Sequence, residues 1–100
     1  METTITKIEG KTVVAIEGRV DTVTSNELNE VLAPLAQESN TNLVLDCEEM
    51  DYISSSGLRV ILGIQKIIDA NAGTLELINV QEAVKSVFNI TGFSNFLDIK

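Results

Sequence analysis

Three consecutive serines, Ser54, Ser55 and Ser56, bring hydroxyl groups together just before Gly57. They stand where a predicted strand has ended and a predicted helix begins. Free backbone N–H groups and the positive end of the helix dipole meet at such a junction, so a phosphate on a serine there would be held by the helix end. Serine is also a favourable N-cap residue in its own right. The residues alone therefore leave two interpretations open: a capping role, which is the commoner one, and a modified or anion-binding serine.

Other chemistry at these hydroxyls lacks the necessary partners. The sequence has no His and a single cysteine, Cys47, which excludes a zinc-finger ligand set, an intramolecular disulfide and the Ser-His-Asp and Cys-His catalytic arrangements. A base for Ser55 from Lys66 or Lys85 would need a tuned pKa and hydrogen-bond reach, and nothing in the sequence provides either. We therefore expect a protein that is not an enzyme and uses no metal or cofactor. Cys47 is predicted to be a small interior hydrophobe.

The charge balance excludes further classes of function. Seven Lys and Arg against fifteen Asp and Glu give a net charge of −8, and such a surface repels phosphate backbones and anionic lipid headgroups. No apolar stretch approaches the roughly 20 residues of a membrane helix, and the N-terminus lacks the pattern of a signal peptide. We therefore expect no nucleic-acid binding, no membrane insertion and a cytoplasmic location. With 44% hydrophobic residues and no linker, residues 1–100 are predicted to form one domain.

The strands that must position the serines follow from the pattern of apolar residues. Two short segments rich in Thr, Ile and Val, residues 3–8 and 12–17, are separated by Glu9-Gly10-Lys11 and predict a hairpin. The run Leu43-Val44-Leu45 predicts a strand that is covered on both faces of a parallel sheet, and residues 74–78 predict another. Strands that alternate with helices favour right-handed βαβ crossovers. The predicted fold is α/β, with an antiparallel hairpin that leads into a mostly parallel sheet.

Local signals mark the ends of the first and third predicted helices. Thr24 and Glu27 form a capping-box pattern ahead of the apolar periodicity of the first helix. Pro34 removes one backbone donor and is expected to bend this helix or end it early. Asn79 predicts the cap of the third helix, and Gly92 predicts its end.

The second predicted helix, residues 58–70, is apolar on nearly every side. We assign its apolar residues to two faces, Leu58, Ile61, Leu62 and Ile68 on one and Val60, Ile64 and Ile67 on the other. A helix of this kind is usually buried, yet full burial of both faces is hard to arrange in a chain of 100 residues. The second face is therefore either core or a docking surface flanked by Arg59 and Lys66, and the sequence leaves both open.

The segment from Asp51 to Leu62 reads Asp-Tyr-Ile-Ser-Ser-Ser-Gly-Leu-Arg-Val-Ile-Leu and resembles the signature of anti-sigma factor antagonists, which are stand-alone STAS domains. The similarity extends over nearly the whole chain, including the turn from Gly18 to Asp21 and the Thr91-Gly92-Phe93 segment. The resemblance implies an α/β STAS fold with four strands and about three to four helices. It also implies partner switching, in which the unphosphorylated antagonist binds an anti-sigma factor and thereby frees a sigma factor for transcription.

The resemblance also implies a phosphorylation site and a binding surface. The phosphorylated residue of the family falls on Ser55, and Ser54 stands where the sporulation-type and stress-type antagonists have Asp. The implied partners are an anti-sigma factor of the serine kinase type and a PP2C-type phosphatase. The implied partner-binding residues are Asp21, Ser54, Ser55, Ser56, Gly57, Leu58 and Arg59. Two points stay open. Asp21 is either a contact at the rim of the binding surface or only a turn or cap residue. The chain is either such an antagonist or a regulatory docking subunit of a transport or signalling complex whose serines are never modified.

Overall fold

The computed structural model describes residues 1–100 and shows an N-terminal hairpin followed by alternating strands and helices. The six strands are β1 (Glu2–Ile8), β2 (Lys11–Val20), β3 (Asn42–Asp46), β4 (Met50–Ile53), β5 (Thr74–Ile78) and β6 (Asp98–Ile99). The three α-helices are α1 (Thr24–Ala36), α2 (Ser55–Ala70) and α3 (Glu82–Thr91), and a short 3-10 helix covers Phe93–Asn95. The predicted α/β class and the predicted hairpin are confirmed.

The main path of the sheet has the strand order β1-β2-β3-β5-β6, and β4 pairs with the last residues of β2, beyond the end of β3. β1 runs antiparallel to β2, and every other pair is parallel, as the crossovers predict. The sheet has two strands more than the four that the resemblance implies. These two, β4 and β6, are four and two residues long, too short to carry a readable periodicity. Residues 18–20, predicted to leave the hairpin strand, remain in β2 because β4 pairs with them.

The buried side chains of the sheet alternate along the strands and face the helices. Those of this inner face are Val14, Ile16, Leu43, Leu45, Leu75 and Leu77, and they share one core cluster with buried residues of all three helices. Val44 lies on the opposite face and outside this cluster, although it is only 5% exposed. The Lys11–Glu76 ion pair (3.7 Å) crosses β3 on that side. Leu43, Val44 and Leu45 are all buried, so the prediction that both faces of β3 are covered is confirmed. The helices cover only one of these faces, because successive right-handed crossovers in one direction keep all helices on one side of the sheet.

The predicted caps of α1 and α3 do not form. Val23 is the N-cap residue of α1 and makes no side-chain cap bond, since the Thr24 hydroxyl is hydrogen-bonded within the preceding turn. Gln81 is the N-cap residue of α3, and the Asn79 amide donates instead to the Asp46 carboxylate at the end of β3 (3.1 Å). Both capping predictions are wrong because each side chain has another partner that local spacing does not reveal.

The predicted helix ends agree better with the structure. α1 ends at Ala36, two residues after Pro34, whose missing N–H weakens the last turn. Gly92 follows α3 with a φ of 79°, a left-handed conformation that glycine adopts without a steric penalty. Beyond Gly92 the chain docks on the domain, since Leu97 is buried and β6 pairs with β5.

α2 has a single buried face, and the residues on it differ from those of either predicted face. Its fully buried side chains are Leu58, Ile61, Ile64 and Ile68. Their spacings of three, three and four residues keep them on one side of a helix. The prediction that separated Ile64 from this face and placed Leu62 on it is therefore wrong. The side toward solvent carries Ser55, Arg59, Leu62 and Lys66, of which only Leu62 is half-buried. None of the helices has the length and apolar character that a membrane crossing requires.

Candidate functional site

Ser54 is the N-cap residue of α2. Its Oγ accepts a hydrogen bond from the Gly57 N–H (3.1 Å), and its carbonyl oxygen accepts one from the Leu58 N–H (3.0 Å). Its own N–H donates to the carbonyl oxygen of Val20 at the end of β2 (2.8 Å). Ser54 thus joins the start of the helix to the sheet. Of the two roles that the sequence leaves open for the serines, the capping role belongs to this first serine.

Ser55 is the first residue of α2, and it is exposed to solvent. Ser56 follows it and is half-buried, whereas Arg59, one turn further along the helix, is exposed. Of the three serine hydroxyls in this loop, only that of Ser54 takes part in a hydrogen bond within the chain. The hydroxyl of Ser55 is therefore the one that another protein reaches most readily.

Gly57 and Leu58 hold the first turn of α2 against the sheet. A Cβ atom added at Gly57 would lie 2.8 Å from Cγ1 of Ile53 and 2.8 Å from Cγ1 of Val20, which is closer than packed carbon atoms approach. Leu58 is 1% exposed and belongs to the core. The resemblance implies that both residues bind a partner, but both are buried. In this structure they position the serine loop and are not themselves available for contact.

Asp21 organises the connection between β2 and α1. Its Oδ1 accepts hydrogen bonds from the N–H groups of Thr24 (3.0 Å) and Val23 (3.1 Å). The bonds from Thr24 above all, then the one from Val23 and the charge of Arg19, hold the pKa of Asp21 below its ordinary value. The turn role left open by the sequence is therefore present. Because the adjoining Val20 carbonyl accepts the N–H that opens the serine loop (2.8 Å), this turn and the loop lie side by side.

Arg19 and Tyr52 form a surface pair beside the serine loop that the sequence analysis missed. They are register partners on β2 and β4, and the guanidinium carbon lies 4.1 Å from the centre of the Tyr52 ring. A cation–π contact of this kind contributes about 0.5–1 kcal/mol at an exposed site. The pair adds a flat and partly positive surface next to the loop. No local signal reveals it, because the pairing depends on β4 lying beside the extended end of β2.

Acidic side chains also lie at this edge of the sheet, after the end of β3. Asp46 is half-buried and Glu48 and Glu49 are exposed, but no group of three or more ligating side chains converges on a metal-binding position. Cys47 lies among them and is fully buried. Burial, aided by the charge of Asp46, raises the pKa of the Cys47 thiol to about 12. The prediction that Cys47 is a small interior residue is confirmed, and its thiol stays protonated at neutral pH.

The family follows from comparison with known proteins. The family model described as the STAS domain matches residues 2–100. The chain belongs to the STAS domain family. This match confirms the resemblance that the serine loop and the Gly18–Asp21 turn carry, and it agrees with the observed fold.

Relatives of this STAS domain are named as anti-sigma factor antagonists. BtrV of Bordetella bronchiseptica, named as a candidate anti-sigma factor antagonist, is 33% identical over 99 residues, which make up 99% of this chain and 85% of that protein. The anti-sigma-B factor antagonist of Staphylococcus aureus is 29% identical over 86 residues, or 86% of this chain and 80% of that protein. The chain is therefore a member of the antagonist group of STAS domains. These names describe regulators and not catalysts, in line with the expectation that the chain is not an enzyme.

A solved structure shares the fold of this STAS domain. The Bacillus cell fate determinant SpoIIAA, solved in its phosphorylated form, superposes with a TM-score of 0.75 at 19% sequence identity. The superposition covers 99% of this chain and 91% of that chain.

Proposed function

We propose that this STAS domain acts in the cytoplasm as an anti-sigma factor antagonist that is switched by phosphorylation of Ser55. In the unphosphorylated form it binds an anti-sigma factor of the serine kinase type, and this binding frees a sigma factor for transcription. Phosphorylation of Ser55 by that kinase releases the complex, and a PP2C-type phosphatase restores the binding form. The names of the Bordetella and Staphylococcus relatives support the partner class, and the phosphorylated form of SpoIIAA supports the kind of modification.

The observation that carries this proposal is the position of Ser55. Ser55 is the exposed first residue of α2 and lies beside the turn that Asp21 organises, while Ser54 supplies the structural cap. A modification of Ser55 therefore leaves the cap hydrogen bond in place. We propose that Ser55, Ser56 and Arg59 contact the partner with Asp21 at the rim of the interface, and that Ser54, Gly57 and Leu58 position them.

The proposed switch acts through charge. A phosphoryl group adds about −1.5 to −2 charges at neutral pH, which would take the net charge from −8 to about −10. A partner that covers Ser55 would have to desolvate this group, and an acidic partner surface would be repelled by it. A loss of about 1.4 kcal/mol lowers the affinity tenfold, so a few such units release a moderately bound partner without any change of fold.

A capture experiment with four versions of the full chain tests the switch. The wild type, Ser55→Ala and Ser55→Asp are compared with Ser39→Asp, which adds the same charge at an exposed position of the connection between α1 and β3. This connection precedes β3 and so lies at the opposite end of the parallel strands from the serine loop. Each version is immobilised and then incubated with native cytoplasmic extract. The proteins that it retains are identified by mass spectrometry. In parallel, peptides of the native protein that contain residues 54–56 are examined for phosphate.

The proposal expects that an ATP-binding anti-sigma factor is retained by the wild type, Ser55→Ala and Ser39→Asp, and that Ser55→Asp loses it at least about tenfold, which is 1.4 kcal/mol. If all four versions retain the same transporter or scaffold proteins, the domain is instead a constitutive docking subunit. If no phosphopeptide from residues 54–56 appears under any growth condition, the switch at this loop is wrong.

A further inference from the structure

Arg59 lies one helical turn after Ser55 on the solvent side of α2. Both residues are exposed, and residues four apart in a helix are neighbours, with about 5–6 Å between their Cβ atoms. The ion pairs of the chain join Lys11 and Lys100 to Glu76 and Asp98, so the Arg59 guanidinium has no carboxylate partner. The first turn of α2 also contains no acidic residue.

The other arginine near the serine loop is already engaged. The guanidinium of Arg19 is stacked over the Tyr52 ring at 4.1 Å, and its charge acts on the carboxylate of Asp21. Lys66 lies on the same side of α2 as Ser55, but eleven residues away. At a rise of about 1.5 Å per residue, this separation is about 16 Å along the helix axis, beyond the reach of a lysine side chain from Ser55. On α2, Arg59 is therefore the cation that a group on Ser55 can reach.

We propose that Arg59 is the internal counter-ion of a phosphoryl group on Ser55. The inference rests on the proposed function, in which Ser55 is phosphorylated. A phosphoserine offers three acceptor oxygens, and the planar guanidinium donates two parallel hydrogen bonds to such a group. The order is the favourable one for a helix, with the anion four residues before the cation.

The pair gives the modification a double effect. In the unphosphorylated domain the Arg59 guanidinium is free to contact a partner. After phosphorylation the same guanidinium is held by the phosphoryl group, so the surface gains an anion and loses its free cation in one step. Release of the partner then depends on withdrawal of Arg59 as well as on repulsion by the phosphate.

The test uses purified full-length chain in which phosphoserine is incorporated at position 55 during synthesis. Three versions are compared: the otherwise unchanged chain, Arg59→Gln and the matched control Lys66→Gln, which removes a cation from the same side of the helix. The pKa of the phosphoserine is measured by following its phosphorus NMR shift with pH at low salt. Circular dichroism verifies that each version is folded.

We expect Arg59→Gln to raise the phosphoserine pKa by about 0.3, the value that corresponds to an i, i+4 ion pair. Lys66→Gln should leave it unchanged. Equal pKa values in the unchanged chain and in Arg59→Gln would overturn the pair, and so would an equal rise in both variants, because that result indicates a general field. Since no kinase is needed here, a missing phosphopeptide in the native host removes the proposed function alone, whereas an unchanged pKa removes the Arg59 pair alone.

Discussion

Gly57 is the residue at which α2 approaches the ends of β2 and β4 most closely. Gly57→Ala would place a Cβ 2.8 Å from two side-chain carbons of buried residues, and overpacking of this kind costs about 1–3 kcal/mol. The gain in helix propensity returns at most about 1 kcal/mol. We therefore expect Gly57→Ala to lower the free energy of unfolding by up to about 2 kcal/mol, as measured by urea denaturation.

Gly63 in the same helix provides the matched control for that measurement. Apart from the adjoining backbone of its own helix, a Cβ added there meets no atom within 4 Å, so Gly63→Ala should stabilise the protein by about 0.8 kcal/mol through helix propensity. If Gly57→Ala were as stable as Gly63→Ala, the close packing at the helix start would not be a constraint on the sequence.

Ser54 and Ser55 are adjacent but do different work. Ser54→Ala removes the side-chain cap of α2 and should cost about 1 kcal/mol of stability. Ser55→Ala alters an exposed side chain and should stay within about 0.5 kcal/mol of the wild type. Thermal and urea unfolding of the two variants measures the difference, and an equal loss for both would contradict the assignment of the cap to Ser54.

At the scale of the elements, the turn between β2 and α1 depends on the ionised form of Asp21. Its folded-state pKa lies below the ordinary value of 3.8, so the unfolded chain binds a proton more readily than the folded protein does. The stability that this charge contributes is fully present above the unfolded pKa and is lost as the pH falls through the lower, folded pKa. We expect the stability advantage of the wild type over Asp21→Asn to be constant above about pH 5 and to shrink below about pH 4.

The measurement for this turn is the free energy of urea unfolding of both proteins between neutral pH and the lowest pH at which they fold. Taking the difference cancels the other carboxylates, which titrate in both. A difference that grows as the pH falls would show that the charge of Asp21 destabilises the turn, against the hydrogen bonds from Thr24 and Val23.

The elements also show which structural signals are local. Residues 74–78 and the hairpin are predictable because short apolar or Thr-, Ile- and Val-rich segments that are bounded by turn residues indicate strands. β4 is not predictable from the sequence, because its four residues pair with β2 only after β3 has ended. The caps predicted at Thr24 and Asn79 failed for a related reason: the same side chains find other hydrogen-bond partners, one of them at the end of β3.

At the scale of the whole molecule, the net charge is −8, and few ion pairs offset the repulsion between the carboxylates. All three pairs lie around Glu76 and Asp98, and both lysines in them are more than half exposed. Hydrogen bonding to Glu76 raises the pKa of Lys100, with smaller contributions from the charges of Asp98 and Glu76. Exposed pairs of this kind contribute little to stability. Repulsion among the remaining carboxylates is therefore the larger electrostatic effect on the stability of the folded protein.

Added salt should therefore stabilise the protein. Raising the ionic strength shortens the Debye length to less than about 10 Å above 0.1 M and screens this repulsion more than it weakens three exposed pairs. We expect the thermal midpoint at neutral pH to rise by a few degrees with sodium chloride, and equally with potassium chloride. A midpoint that fell with both salts would show that attractive pairs outweigh the repulsion.

The α/β class, the hairpin, the position of the serine loop before a helix and the family to which the chain belongs are all predictable from the amino-acid sequence. The hairpin and the start of the helix after the serine loop rest on patterns within a dozen residues, which local backbone geometry and burial impose directly. The α/β class rests on the alternation of such segments along the chain, and the family rests on similarity to known proteins over residues 2–100. Tertiary structure alone decided that Ser54 is the cap and Ser55 the exposed hydroxyl, that Gly57 and Leu58 are buried, and that Val44 faces away from the helices. Each of these depends on how β2, β4 and α2 meet in space, and contacts between segments distant in the chain leave no periodic trace in the sequence.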